Sequence, residues 1–123
     1  MKNLDLACAE LGRKLAETRI ERDYIDETVF TAALGVLEEQ GPYACFLYLQ
    51  AREGEHGKWI SRESAAFLSK ALQGQKQENG ALAFVKSLAD DLDQLLFVRD
   101  LLRQVFVYAR YHAKARGSTG DEK

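Results

Sequence analysis

The nineteen residues from Val98 to Arg116, VRDLLRQVFVYARYHAKAR, constrain this chain more than any other stretch. At about 100° per residue, Val98, Leu101, Leu102, Val105, Tyr108, Ala109 and His112 share one side of a helix. Arg99, Arg103, Arg110 and Lys114 fall within roughly a 60° arc on the nearly opposite side. A helix of this kind needs a core on its apolar side and offers a narrow cationic ridge to whatever lies outside.

The rest of the sequence supplies that core in helical pieces. Leu4, Cys8, Leu11, Leu15 and Thr18 recur at helical spacing and predict a first helix from Asn3 or Leu4 to Arg22. Mixed charges on its other side suit pairs such as Glu10 with Lys14 and Arg13 with Glu17. A second helix is expected from about Asp26 to Gln40, with Asp26 or Asp23 as its cap, burying Phe30, Ala33, Leu34 and Leu37. Gly41 then stops one helix and Pro42 starts the next. That third helix, PYACFLYLQAR, is apolar nearly all round, so it is central to the fold or covered by a partner. Tyr43 and Tyr48 are its candidate protein-interaction residues, with hydroxyls suited to a wet edge.

Residues 53–58, EGEHGK, read as a polar loop, and Ser61 as the cap of a fourth helix from Arg62 to Gln73, with Ile60 stapled to Ala65. Residues 74–80 read as loop. A fifth helix from Gly80 places Leu82, Val85, Leu88, Ala89 and Leu92 inward. Acidic residues are mildly unfavourable near the C-terminus of a helix, so Asp90, Asp91 and Asp93 predict a break within 91–98, with Asp93 or a neighbour capping the next helix. The fold expected is all-α, a single compact bundle of five to six helices over residues 1–116. It is organised around the third helix and the inner face of the last, with a disordered tail at 117–123.

A chain of 123 residues with one proline suits one such domain. Its formal net charge of -2 excludes a general polycation, so affinity for nucleic acid must come from local clustering. Cys8 and Cys45 lie in apolar helical contexts and read as small buried hydrophobes rather than a disulfide. The first residues, MKNLDLACAELGRK, lack the pattern of a signal peptide, and no apolar run approaches the ~20 residues of a membrane span. A cytoplasmic protein with no membrane contact is expected.

Little here points to chemistry. His56 stands in a glycine-containing loop without a second His or Cys at ligand spacing, and His112 falls on the inner face of the last helix. Asp90, Asp91 and Asp93 lack the glycine turn and distal glutamate of a calcium loop. No phosphate loop, G-x-S-x-G or zinc motif occurs. No catalytic residue, metal or cofactor is therefore expected.

The cationic ridge leaves two readings open. Between residues 97 and 116, Arg99, Arg103, Arg110, Lys114 and Arg116 stand against Asp100 alone, a local excess of four. They either complement the helix dipole in water or bind a phosphate backbone, with Phe106 and Tyr111 flanking the ridge to stack on bases. Binding of the second kind would be independent of sequence and strongly dependent on salt.

The stretch LADDLDQLLFVRDLLRQVFVYARYHAKA resembles the C-terminal signature of the small subunit of type III-B CRISPR effector complexes, with Tyr108, Arg110, Tyr111 and Ala113 matching its end. Tyr108 stands where that pattern has tryptophan. LEEQGPYACFLYLQAREG is similar to an earlier segment of the same family; the type III-A small subunit also fits. The resemblance implies an all-helical, non-enzymatic subunit of an antiviral ribonucleoprotein. Copies of such a subunit stack along a CRISPR RNA-guided complex, contact its other subunits and line the channel for RNA or single-stranded DNA. A helical protein–protein adaptor without nucleic acid is the alternative.

Overall fold

A computed structural model describes residues 3–72 and 80–121. The chain is an all-α bundle. Helices α1 (Leu4–Glu17), α2 (Glu27–Gln40), α3 (Pro42–Arg52), α4 (Gly54–Ala71), α5 (Ala81–Lys86) and α6 (Leu92–Asp121) follow in order, with a short hairpin, β1 (Arg19–Ile20) and β2 (Asp23–Tyr24), between α1 and α2.

Several boundaries follow from local chemistry. Asn3 caps α1, its side chain accepting from the Leu6 N–H at 3.0 Å. Asp26 caps α2 in the same way, through the Thr28 N–H at 2.9 Å. Gly41, at φ 95°, lets the chain turn directly from α2 into α3, and Pro42 opens α3 without a donor to satisfy.

Others differ from the sequence expectation. The first helix stops at Glu17 instead of Arg22, and the chain doubles back through Glu21 (φ 55°) and Arg22 (φ 77°). A two-residue connection with both φ values positive matches the strand twist and sets the register Arg19↔Tyr24 and Ile20↔Asp23. Glu-Arg is a poor composition for that turn, so nothing in the local sequence announced it. The expected loop at 53–58 is helical: α4 begins at Gly54, and Ser61 is buried within it rather than capping it. Gly57 accounts for this, because it lies against the Leu49 carbonyl of α3 where a Cβ would overlap the oxygen. It is a packing glycine, and the helix runs through it. The expected loop 74–80 and the α4 end at Gln73 lie mostly outside the described residues.

The fifth helix is also shorter than expected. It ends at Lys86, Leu88 is buried, Ala89 is exposed and Leu92 is 68% exposed. The break falls at Ser87–Asp91, one side of the expected window, and Asp91 is the residue that caps α6, accepting from the Gln94 N–H at 3.1 Å. From there α6 continues through Gly117 to Asp121.

The core forms around α6, which packs on α1 and α2 and also touches α3 and α4. Val98, Leu101, Leu102, Val105, Phe106, Ala109 and Ala113 are its buried positions. They meet Cys8 and Leu15 of α1, Phe30, Ala33 and Leu37 of α2, and Cys45, Phe46 and Leu49 of α3 in one cluster. Both cysteines are free and buried. Burial pushes the Cys8 thiol up to about 11 and the Cys45 thiol up to about 12, so both stay protonated.

The tightest approach is between α1 and α6. A Cβ on Gly12 would sit 2.8 Å from the Val105 carbonyl oxygen, 2.8 Å from the Ala109 nitrogen and 2.7 Å from the Tyr108 Cβ. Cys8 lies near the Leu101 carbonyl, Gly12 near Val105 to Ala109, and Ala16 near Arg116. The pairings advance in one chain direction, so the two helices run parallel. Gly12→Ala is expected to cost about 2 kcal/mol or more, because two of the three obstacles are backbone atoms. Gly35→Ala, in α2 with nothing within 4 Å, is expected to gain up to about 1 kcal/mol. Urea unfolding of both variants measures the difference.

Candidate nucleic-acid interface on the last helix

The ridge exists, but α2 lies beside it. Arg103 donates to Glu38 of α2 at 2.6 Å and to Asp100 at 3.1 Å. Arg110 pairs loosely with Glu27 of α2 at 3.8 Å. Arg99 stands 3.7 Å from Asp100, with its Nε buried and unpartnered among the described residues. Lys114 is exposed and forms no ion pair among the described residues. Tyr111 is 64% exposed on the same outer side. Two carboxylates from α2 therefore offset half of the local cationic excess.

Phe106 does not flank the ridge as expected. It is fully buried against Phe30, with ring centroids 6.3 Å apart and planes tilted by 46°. Its position at the margin of the apolar arc let a neighbouring helix claim it. Tyr111 alone remains available from the predicted stacking pair.

Arg116, counted in the basic segment, has a different task. Its guanidinium donates to the Ala16 carbonyl at the end of α1 and to the Ile25 carbonyl at 3.1 Å, and lies 4.5 Å from the Tyr24 ring centroid. Arg19 approaches the same ring at 5.0 Å. Arg116 therefore ties α1, the hairpin and α6 together. A recess of about 450 Å³ beside it is lined by Glu17, Tyr24, His112, Ala115 and Arg116. His112 Nδ1 lies 3.8 Å from Glu17, at the edge of the bundle rather than within the core. His56 also serves the hairpin, placing Nε2 3.0 Å from the Ile20 carbonyl oxygen.

Two carboxylates near these helices are held ionised. Hydrogen bonds from Gln104 at 2.7 Å and Tyr108 at 2.9 Å keep the Asp5 carboxyl below its ordinary range. The Thr28 hydroxyl and N–H do the same for Asp26. Asp5 in turn raises the Tyr108 hydroxyl through the shared hydrogen bond.

On α3, Tyr43 is 40% exposed, whereas Tyr48 is half-buried and donates to Glu53 at 2.5 Å. Leu47, one turn from Tyr43 and 48% exposed, is the neighbour that the sequence pattern did not single out. The α3 surface is thus Tyr43 with Leu47, and Tyr48 belongs to the end of its own helix. Among the described residues, no group of three or more His, Cys, Asp or Glu side chains is placed to hold a metal ion. None of the described helices is long and apolar enough to cross a membrane.

Compared with known proteins, the chain matches no family model, no curated protein and no solved structure.

Replacing Arg116 by alanine removes two charge-assisted hydrogen bonds to backbone carbonyls. The expected loss is about 2 kcal/mol, with faster amide exchange at residues 18–26 and little change in α3. Hydrogen-exchange mass spectrometry resolves the two regions.

Proposed function

We propose that this chain is a small, non-catalytic helical subunit of a type III CRISPR ribonucleoprotein, touching the backbone of RNA or single-stranded DNA with the outer face of α6. The observation that carries the reading is the grouping of Arg110, Lys114 and exposed Tyr111 on the second half of that helix. The Arg110–Glu27 contact is long and solvent-exposed, and such pairs contribute between nothing and about 1 kcal/mol. A phosphate can displace Glu27 at little cost and gain a charge-assisted hydrogen bond. Arg103, held between Glu38 and Asp100, is less readily released. The resemblance of residues 88–115 to the family's C-terminal signature gives the ridge its biological setting.

A protein–protein adaptor is the second reading, favoured by Tyr43 and Leu47 side by side on α3. It predicts partner loss on mutating those two residues and no salt-dependent RNA binding.

Binding of a fluorescent single-stranded RNA of about 30 nucleotides, measured across a salt series, separates the readings. Arg110→Ala with Lys114→Ala is expected to flatten the slope of log affinity against log salt by about 2. Glu27→Gln is expected to strengthen binding by freeing Arg110. Unchanged affinity in both variants would remove α6 from the nucleic-acid path and leave the adaptor.

A further inference from the structure

The first two turns of α6 leave three large apolar side chains in solvent: Leu92 is 68% exposed, Leu96 40% and Phe97 36%. The ordinary reasons for residues at a helix start do not explain them. Asp91 is accounted for as the cap, and Asp93 is favoured near the positive end of the helix dipole. Neither reason calls for leucine or phenylalanine at positions facing water.

These residues form a face with a particular chemistry. Leu92 and Leu96 lie one turn apart on the same side. At about 100° per residue, Asp93 and Asp100 fall in the arc between Leu96 and Phe97, one on each side along the axis. Phe97 also stands at the rim of a recess of about 330 Å³ between α1 and α6, shared with Asp5, Cys8, Asp100, Leu101, Arg103 and Gln104. That volume accepts one leucine- or phenylalanine-sized side chain. Its charged lining is two carboxylates and Arg103, and Arg103 is already occupied by Glu38 and Asp100. Asp90 and Asp93 are exposed and carry no ion pair among the described residues, and Asp5 is bonded only to the neutral Gln104 and Tyr108. Arg99, one turn on from Leu96, and Arg103 are both paired with Asp100, so the carboxylates left without an ion pair near the apolar stripe are Asp5, Asp90 and Asp93. These are complementary to a helix carrying apolar anchors and flanking Lys or Arg.

We propose that this end of α6 docks a cationic amphipathic helix of another protein, with apolar anchors on Leu92, Leu96 and Phe97 and basic side chains against Asp5 and Asp93. The surface is separate from the cationic half of α6 and from Tyr43 and Leu47. Carboxylates repel a phosphate backbone, so the two ends of the helix select different partners.

The test uses the full chain and a fluorescein-labelled peptide of about 18 residues, built from leucine and lysine with helical spacing. Anisotropy is read at low and high salt. Leu96→Ser with Phe97→Ser is expected to weaken binding at least tenfold at both salts. Asp93→Asn is expected to weaken it several-fold at low salt only. Leu47→Ser should leave it unchanged, and melting curves report whether each variant folds. Equal affinity for the wild type and the Leu96/Phe97 variant, or loss in Leu47→Ser instead, would overturn the proposal. Sedimentation supplies the other arm: dimerisation of the wild type that the Leu96/Phe97 variant abolishes would assign the face to a second copy of this chain and likewise overturn it.

Discussion

The distance between α1 and α6 is set by a missing side chain. With no Cβ at Gly12, the α1 backbone reaches the Val105 carbonyl and the Ala109 nitrogen directly. Everything along that seam assumes this separation. Cys8 lies within 3.8 Å of the Leu101 carbonyl, Asp5 meets Gln104 and Tyr108, and Arg116 reaches the end of α1. Gly57 plays the same part between α4 and α3, against the Leu49 carbonyl. Close backbone approach replaces side-chain interdigitation at both seams, and the surrounding large side chains fill what remains. On α4 the small buried face extends through Ser61 and Ser64, whose hydroxyls have no hydrogen-bond partner among the described residues. Their small size suits the close seam, at the expense of two unsatisfied polar groups.

This dependence explains which parts of the fold were legible in the sequence. Asp26, Gly41 and Pro42 act on their own neighbours, so the start of α2 and the α2–α3 junction could be read from residue types alone. The periodicity of α6 was equally local, and its buried face agrees at Val98, Leu101, Leu102, Val105 and Ala109, while Phe106 and Ala113 are buried in place of Tyr108 and His112. The α4 start and the hairpin were not local. Gly57 reads as a loop residue until the Leu49 carbonyl is beside it, and Glu21-Arg22 reads as helix until Arg116 and His56 hold the flanking carbonyls. Such boundaries are decided by contacts with other elements, eight residues away for Gly57 and 36 and 91 away for the hairpin, and propensity gives way to them.

The candidate interface divides in the same way. Helical phase placed Arg99, Arg103, Arg110 and Lys114 together, and the structure keeps them on one side of α6. Phase says nothing of what stands opposite. Glu27 and Glu38 arrive from α2, more than 60 residues earlier in the chain, and they sort four similar cations into one well-held arginine, two loosely paired ones and an exposed lysine. Tyr48 makes the same point on α3. Its composition suited an interface, yet a glutamate five residues on captures its hydroxyl.

The arrangement of charge along α6 has a consequence for how the molecule meets others. Asp90, Asp91 and Asp93 gather at its start, and Arg110, Lys114 and Arg116 toward its end, along a helix of 30 residues. The backbone dipole runs the other way, positive at the start of the helix, and offsets part of this separation, but the full side-chain charges outweigh its partial ones. A protein of net charge -2 is weakly repelled by a distant polyanion. In the nearby field, however, it experiences a torque. It turns its arginine-bearing end inward before any side chain touches, so orientation precedes contact and fewer collisions are wasted.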